Sequence, residues 1–427
     1  MKPAPLVLDH VRITRPGDPA VPGAVVMNGG QITWIGAGDA PAHALPPRAL
    51  RIDCEGGALI PGFVDAHCHP LALGRALTAA DCTPVAARTI PQLQRQLAGW
   101  AAANADARYV SGFGYDELLI MERRHPDRHD LDAAVAERPV ILTHGSGHAL
   151  VLNTAALRLV GITGSTDEPV GGFIDREAET GSPSGLLFEM GSFVSNRLGR
   201  PSEAEVRRQA SAASDAFIHA GVTSVVDAGP SSDPSMFQLW AGLRKDGVFR
   251  PGMTMMRAPG LSIPAAEAAE LAAWVRHGPV KVILTRGAND FMPGLAELSA
   301  VVANALAEGP GVAVHAVEAE AILLVCRAFE EAKKLSSVRT ALMPARMRLM
   351  PARMRIEHAA EATPEVCAAI RRCGASVVTQ PGLVYGRGDR YLAAARTGGC
   401  PVDHLYPLRR LLDEGIPVRI GSDAPYG

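Results

Sequence analysis

The chain has 427 residues, a net charge of −2 at neutral pH, and an ordinary globular composition with 47% hydrophobic and 20% charged residues. At roughly 150 residues per domain, this length predicts about three domains, or one barrel-sized domain with attachments. The 43 glycines and 33 prolines indicate many turns, while the aliphatic content argues against disorder. Because the charges balance, no global field would recruit nucleic acid or an anionic membrane, and we expect a small-molecule partner.

The cysteine pattern and the N-terminus favour a cytoplasmic protein. The seven cysteines contain no C-x-x-C pair, which argues against a disulfide framework or a cysteine zinc site. The first nine residues hold a lysine, an aspartate and two prolines, so they lack the apolar centre of a signal peptide. No apolar run is long enough to predict a membrane span.

The first part of the chain, residues 1–58, alternates short apolar runs with turn residues. The Asn28-Gly29-Gly30 turn between two such runs predicts a β-hairpin. We therefore predict a small β-domain, or part of one, over 1–58.

From residue 59 onwards, strand-length apolar runs alternate with helix-compatible stretches, a pattern typical of βα units around a parallel sheet. Candidate helices lie at 203–220, 265–276, 295–308 and 318–333. Candidate strands lie at 59–66, 109–113, 139–143, 222–227, 252–256, 280–285, 311–316, 353–357, 375–379 and 417–422.

A region at about 75–215 lacks this alternation of strands and helices and is rich in sequences typical of loops. We therefore interpret it as an insertion over the mouth of a barrel. Setting aside its two candidates, 109–113 and 139–143, leaves the eight strands of a closed parallel barrel. The predicted fold class is α/β, a (β/α)8 TIM barrel over 59–427 preceded by the small β-domain.

A seven-residue tandem repeat, Met343–Leu349 followed by Met350–Ile356, interrupts the barrel pattern. It is too short for a solenoid period. It indicates either a basic loop or a local duplication ahead of a strand, and Pro344 and Pro351 would keep either copy from extending a helix.

Polar residues that could bind a metal follow several of the predicted strands. In a strand, Asp65, His67 and His69 share one face because side chains alternate. His315, His358 and Asp423 each lie at the C-terminal end of a later predicted strand, which is the barrel face where active sites are built. Each residue taken alone favours a simpler interpretation, as a surface histidine or a helix-capping aspartate. Taken together, they predict a metal site.

These motifs resemble the metal-dependent amidohydrolase superfamily, and within it the YtcJ-like branch that includes N-substituted formamide deformylases. The resemblance rests on motifs in a fixed order: Pro61-Gly-Phe-Val-Asp-Ala-His-Cys-His69, Val312-Ala-Val-His315, Arg355-Ile-Glu-His358, Thr379-Gln-Pro381 and Gly421-Ser-Asp-Ala-Pro425. It implies a (β/α)8 barrel flanked by a small β-sandwich, and hydrolysis at a carbonyl or related carbon.

The resemblance also implies the ligand set and its chemistry. Lys281 corresponds to a fourth-strand lysine that many relatives carboxylate to bridge two metals; a structural ion pair is the alternative, and Leu284-Thr-Arg-Gly287 departs from the usual Asp-Gly after this strand. The expected cofactor is one or two divalent ions, Zn²⁺ first, with iron, manganese and nickel as alternatives. The predicted ligands are His67, His69, Lys281, His315, His358 and Asp423.

In this interpretation a metal-activated hydroxide attacks the substrate, with Asp423 as general base and then acid. His358 helps to polarise the carbonyl, and Asp65 either orients a ligand histidine or packs. Within the insertion, Tyr115 and His148, together with His144 and Asn153, are the candidates for substrate contact. The phosphate-loop, dinucleotide, H-E-x-x-H and G-x-S-x-G motifs do not occur.

The predicted function is hydrolysis of an amide or formamide-like C–N bond in a small organic substrate. A deaminase of a cyclic amidine and a non-catalytic scaffold are the alternatives, and a homo-oligomer stays open. Because the sequence ends shortly after Asp423, before a helix could cover the last strand or further strands complete a sandwich, we expect a C-terminal truncation and poor solubility of these residues alone.

Overall fold

The computed structural model describes residues 4–14, 19–169, 171–229, 232–287, 290–340 and 353–427. The chain divides into two compact units, Met1–Phe63 and Val64–Gly427. The domain boundary predicted after residue 58 falls slightly before this division and stays a prediction. Among the described residues, no helix combines the length and the apolarity needed to span a membrane.

The first unit contains a five-stranded sheet in the order β3-β2-β1-β4, with β5 paired to β1. Its strands are β1 (Leu6–Ile13), β2 (Val21–Asn28), β3 (Gln31–Ala37), β4 (Leu50–Asp53) and β5 (Ala58–Leu59). Asn28 pairs with Gln31 across a two-residue turn. Gly29 and Gly30 have φ of 59° and 82°, values that glycine adopts at little cost. The predicted hairpin is therefore confirmed.

The second unit is built on an eight-stranded sheet. Its strands are β6 (Phe63–Cys68), β13 (Val222–Asp227), β14 (Gly252–Arg257), β15 (Val275–Ile283), β18 (Val312–Ala316), β19 (Met354–His358), β20 (Ser376–Thr379) and β21 (Val418–Ile420). Their order in the sheet is β21-β20-β19-β18-β15-β14-β13-β6, and two short strands, β16 (Thr285–Arg286) and β17 (Phe291–Met292), pair with each other outside it. The end strands approach each other through backbone hydrogen bonds from Asp423 N–H to the His67 carbonyl (2.8 Å) and from His69 N–H to the Ala424 carbonyl (2.9 Å). The sheet is a nearly closed barrel, which confirms the predicted fold class.

Helices cover the outside of this barrel. They are α1 (Pro70–Thr78), α6 (Glu203–His219), α7 (Pro234–Lys245), α8 (Ala265–Leu271), α9 (Leu295–Glu308), α10 (Ala319–Thr340), α11 (Pro364–Cys373), α12 (Pro381–Arg396) and α13 (Leu408–Asp413). In α6 the Ser202 hydroxyl caps the first turn by accepting from Glu205 N–H. The buried face of this helix includes Val206, Ala210 and Phe217, at helical spacing. Such faces bury the apolar sides of the strands.

Several predicted elements have different bounds, and the strand predicted over 280–285 begins earlier, as β15. The strand predicted over 59–66 is two strands, because β5 ends at Leu59 and β6 begins at Phe63, after Pro61 and Gly62. Proline has no N–H to donate to a sheet ladder. The helix predicted over 265–276 ends at Leu271, since β15 already begins at Val275.

The region between β6 and β13 in chain order forms a second sheet, of six strands, in the order β11-β12-β10-β9-β8-β7. Its strands are β7 (Ala80–Asp81), β8 (Val110–Tyr115), β9 (Val140–His144), β10 (Ala149–Leu152), β11 (Phe173–Arg176) and β12 (Pro183–Phe188), and its helices are α2 (Ile90–Ala103), α3 (Arg128–Ala134), α4 (Thr154–Leu159) and α5 (Gly191–Leu198). The candidates 109–113 and 139–143 are thus strands of this sheet and not of the barrel. Most of the tandem repeat lies outside the described residues.

Candidate metal centre

Strand β6 brings two histidines to one end of the barrel. Side chains alternate along this strand, so one face carries Asp65, His67 and His69. Cys68 points the other way and packs in the apolar layer outside the barrel. Asp423 follows β21, and its Oδ1 lies 3.5 Å from His67 Nε2 and 3.3 Å from His69 Nε2. The candidate ligand atoms of these three residues all lie within 4.8 Å of one another. The structure therefore brings together residues from the first and last barrel strands.

Two further histidines adjoin this cluster. The ring centroids of His358 and His67 are 4.8 Å apart, and those of His315 and His358 are 4.4 Å apart. Burial lowers the pKa of His315 to about 2 and of His358 to about 3. Both imidazoles are therefore neutral at neutral pH, which is the form that binds metal.

The backbone around His358 explains why its side chain reaches this cluster. Strand alternation would place Glu357 and His358 on opposite faces of β19. Instead, His358 and Ala359 adopt φ of 73° and 47°, and Asp423 adopts 58°. Non-glycine residues seldom occupy this left-handed region, and such strain often marks functional sites. Here it occurs at two candidate metal ligands.

A buried acidic residue that the sequence analysis did not single out holds His67. Glu357 is fully buried, and its Oε2 lies 2.5 Å from His67 Nδ1. Arg355 donates to both carboxylate oxygens of Glu357, at 2.8 and 3.1 Å, and to the Ala66 carbonyl at 2.9 Å. This chain of contacts leaves His67 Nε2 free to face Asp423 and fixes the imidazole plane.

Two other contacts hold the remaining site residues in place. Gln380 Oε1 lies 2.9 Å from His358 Nδ1. Asp65 accepts from the backbone N–H of Ser422 at 3.0 Å and from its hydroxyl at 2.5 Å. Asp65 therefore connects β6 to the segment that carries Asp423, a role consistent with either predicted function of this residue.

The charges of the site favour an ionised Asp423. Burial alone would raise the pKa of Asp423, but the contact with His69 and the nearby His358 and His67 outweigh it and lower the pKa. Lys281 is 3% exposed in β15, and burial lowers the pKa of its amine. Burial also raises the pKa of Asp227, at the end of β13.

These donors fit a divalent transition metal. Imidazole nitrogens with one carboxylate oxygen are a donor set that zinc, iron, manganese and nickel accept. Asp423 would supply the carboxylate to such an ion. His67, His69, His315 and His358 would supply nitrogens from three strands. The pairing of His67 Nδ1 with Glu357 is the outer contact that metal-binding histidines usually make.

The residues predicted to contact substrate lie around the second sheet. Tyr115 is fully buried, and its hydroxyl lies 3.0 Å from His125 Nδ1. His148 is exposed and forms an ion pair with Glu189 at 2.7 Å, and this contact raises its pKa. Asn153 is buried and caps α4, since its Oδ1 accepts from Ala156 N–H. The structure gives Asn153 a structural role in place of the expected substrate contact.

His144 belongs to a second acidic cluster. His144 Nε2 lies 2.9 Å from Glu117 Oε2, and Arg390 donates to Asp116 at 2.9 Å and to Glu117 at 3.0 Å. Because the guanidinium already neutralises these carboxylates, the cluster is better explained as an ion-pair network than as a cation site.

Comparisons with known proteins agree with this fold. The chain is 27% identical to N-substituted formamide deformylase of Arthrobacter pascens over an alignment of 442 positions, which covers 95% of this chain and 77% of that protein. It is 34% identical to the putative amidohydrolase YtcJ of Bacillus subtilis (strain 168) over 151 residues, 34% of this chain and 26% of that protein. Its fold matches the crystal structure of an uncharacterized metal-dependent hydrolase from Pyrococcus horikoshii OT3 with a TM-score of 0.70 at 18% identity, covering 99% of this chain and 83% of that one.

The fold and the family match define a class of enzyme, the hydrolases of the amidohydrolase type. The family model of the amidohydrolases matches residues 51–427. Since this match includes most of the chain, the protein belongs to the amidohydrolase family.

Proposed function

We propose that the protein hydrolyses an amide or formamide-like C–N bond in a small organic molecule. The observation that carries the proposal is the grouping of His67, His69 and Asp423 at one end of the barrel, with ligand atoms within 4.8 Å of one another. The similarity to an N-substituted formamide deformylase over 95% of the chain supports the formamide class.

The residues that would hold the metal are His67, His69, His315, His358 and Asp423, with Lys281 as a further ligand if its amine is carboxylated. A divalent ion bound there would supply Lewis acidity toward water and a carbonyl oxygen. Zinc is the first choice for this donor set.

The chain's own groups would move the proton. Asp423 is ionised at neutral pH because its pKa is low, so its carboxylate can accept a proton from the attacking water and pass it to the leaving nitrogen. Glu357 and Gln380 would hold His67 and His358 in the required orientations through their Nδ1 contacts. His148, exposed near the charges of Asp423 and Arg387, is the proposed substrate contact, and Tyr115 stays a prediction.

The test combines a metal count with a hydrolysis assay. We expect stoichiometric divalent metal in the purified protein, less in His67→Ala, and conversion of N-benzylformamide to benzylamine and formate. Asp423→Asn should lower the rate about a hundredfold or more, while Asp413→Asn on the exposed end of α13 should not. A metal-free wild type, or an Asp423→Asn variant with full activity, would contradict the proposal. Release of ammonia from a cyclic amidine, without amine release from formamides, would assign the deaminase reaction instead.

We also propose that Lys281 is carboxylated and allows two metals. A lysine with a lowered pKa has more of the neutral amine that reacts with carbon dioxide. Native mass spectrometry should show the added carboxyl group, and the metal count should fall from two to one or none in Lys281→Met. One metal per chain with an unmodified lysine would leave Lys281 as a structural residue.

A further inference from the structure

A cavity of about 130 Å³, whose lining is mainly apolar but includes Ser111, Thr143 and Ser195, lies between two helices of the second unit. Helix α1 lines it with Ala72, Ala76 and the adjoining Ala79, and α5 lines it with Val194 and Leu198. The three alanines are three, four or seven positions apart, and Val194 and Leu198 are four apart, so each set lies on one helical face. The alanines leave the space because their side chains are small.

The second sheet and Tyr426 complete the walls. Phe113 of β8, Ile141 of β9 and Leu150 of β10 line the cavity together with Tyr426. The ring centroid of Tyr426 lies 5.6 Å from that of His69. Tyr426 thus lines the cavity and also contacts one of the candidate metal ligands.

Positive charge also borders the cavity. Arg75 and Tyr109 line the cavity and also a wider cleft of about 840 Å³. Four arginines, Arg75, Arg108, Arg200 and Arg208, line this cleft against two carboxylates, Asp106 and Glu205. Arg75 is exposed on α1, and none of the ion pairs among the described residues includes its guanidinium. Its guanidinium is available to an anion.

These dimensions match an amphipathic small molecule. A dry apolar cavity of about 150 Å³ is large enough to bind benzene. Arginine binds a carboxylate through two parallel hydrogen bonds. A molecule with an apolar body of about one ring and an anionic end would place the body in the cavity and the anion at Arg75.

We propose that this cavity binds the side group of the substrate, and that this side group is an apolar ring or chain ending in a carboxylate. The inference rests on the proposed function, because it takes the metal centre as the place where the C–N bond is cleaved. The side group would pass Tyr426 from the metal centre, fill the space between α1 and α5, and end at Arg75.

Binding of a matched probe series tests the proposal without turnover. Phenylacetate, phenylpropanoate and phenylbutanoate are titrated into the metal-loaded full chain by calorimetry, each beside its neutral carboxamide. In Arg75→Gln we expect the affinity for the best carboxylate to fall about tenfold while the affinity for its amide is unchanged. In Ala76→Leu, which fills the cavity, both should bind more weakly.

Two matched variants serve as controls. Arg95→Gln and Ala102→Leu change exposed positions of α2 that do not line the cavity or the cleft, and neither should alter binding. Circular dichroism melts show whether each variant is folded.

Three outcomes would overturn the proposal. In the first, no probe binds the wild type. In the second, Arg75→Gln binds the carboxylate with the same affinity as the wild type. In the third, the carboxylate still binds Arg75→Gln but is lost when a chelator is added, which would place the anion on the metal. These outcomes are independent of the metal count and formamide hydrolysis, so failure here is distinguishable from failure of the proposed function.

Discussion

Glu357 fixes the orientation of His67, and this contact can be tested apart from catalysis. The substitution Glu357→Gln keeps a side chain of the same shape but removes the negative charge that faces His67 Nδ1 and Arg355. Loss of such an outer contact typically lowers metal affinity 10- to 100-fold, and we expect a decrease of about that size, measured by competition with a chromophoric chelator.

A control separates this effect from general damage. Glu365→Gln removes a carboxylate from the exposed first turn of α11 and should leave metal affinity unchanged. Because Arg355 also loses its charged partner in Glu357→Gln, the melting temperature is measured first, and affinity is compared well below it. Unchanged affinity in a folded Glu357→Gln variant would show that this carboxylate serves packing alone.

At the scale of elements, α12 connects the barrel to the second sheet. Arg387 donates to the Tyr426 carbonyl at 2.5 Å, and Arg390 donates to Asp116 and Glu117, which follow β8. The helix has non-helical dihedral angles at Arg387. One helix thereby joins the segment after Asp423 to the loop beside the buried Tyr115.

The free energy of unfolding should depend on pH through the contacts that Glu117 makes with Arg390 and His144. Burial alone would raise the pKa of Glu117, but the contacts with His144 and Arg390 outweigh it and lower the pKa to about 2. Since this folded-state pKa lies below the unfolded value of about 4.3, the ionised carboxylate stabilises the folded state above about pH 5. The contribution is lost as the pH falls through the interval toward about 2.

The comparison of wild type with Glu117→Gln tests that sign. We expect the wild type to melt at a higher temperature at about pH 7 and the difference to shrink steadily toward about pH 3. Glu179→Gln, on an exposed turn, is the control for loss of one charge. A difference that stays constant with pH would show that Glu117 stabilises through packing and not through its charge.

The elements also show what the sequence could predict. The barrel strands were predictable because each is a short apolar run, and the polar residues at their ends, such as His315 and Asp423, stand out against it. The small strands β7 and β11 were not, since two to four residues carry too little periodicity to be recognised.

The site was predictable in its ligands and not in their support. Glu357 was missed because alternation places it opposite His358, and only the left-handed backbone at His358 brings both toward His67. The cavity between α1 and α5 depends on the pairing of helices far apart in the chain, which no local pattern encodes.

At the scale of the whole molecule, the candidate ligands join barrel strands that are distant in sequence and not all adjacent in the sheet. His67 lies in β6, and His69 directly follows that strand. His315 lies in β18, His358 lies at the end of β19, and Asp423 follows β21. An ion bound by these residues would connect the first strand to the last and so stabilise the nearly closed barrel.

Removal of the metal should therefore destabilise the barrel. Ligand binding to the folded state alone adds about 2.7 kcal/mol when the free ligand is at a hundred times its Kd, so we expect a chelator to lower the calorimetric Tm of the wild type by several degrees and zinc to restore it. In His67→Ala the chelator should have little further effect, because the site is already impaired. If wild type and His67→Ala respond equally to chelator and zinc, the stabilising ion binds elsewhere and the ligand set proposed for this barrel is wrong.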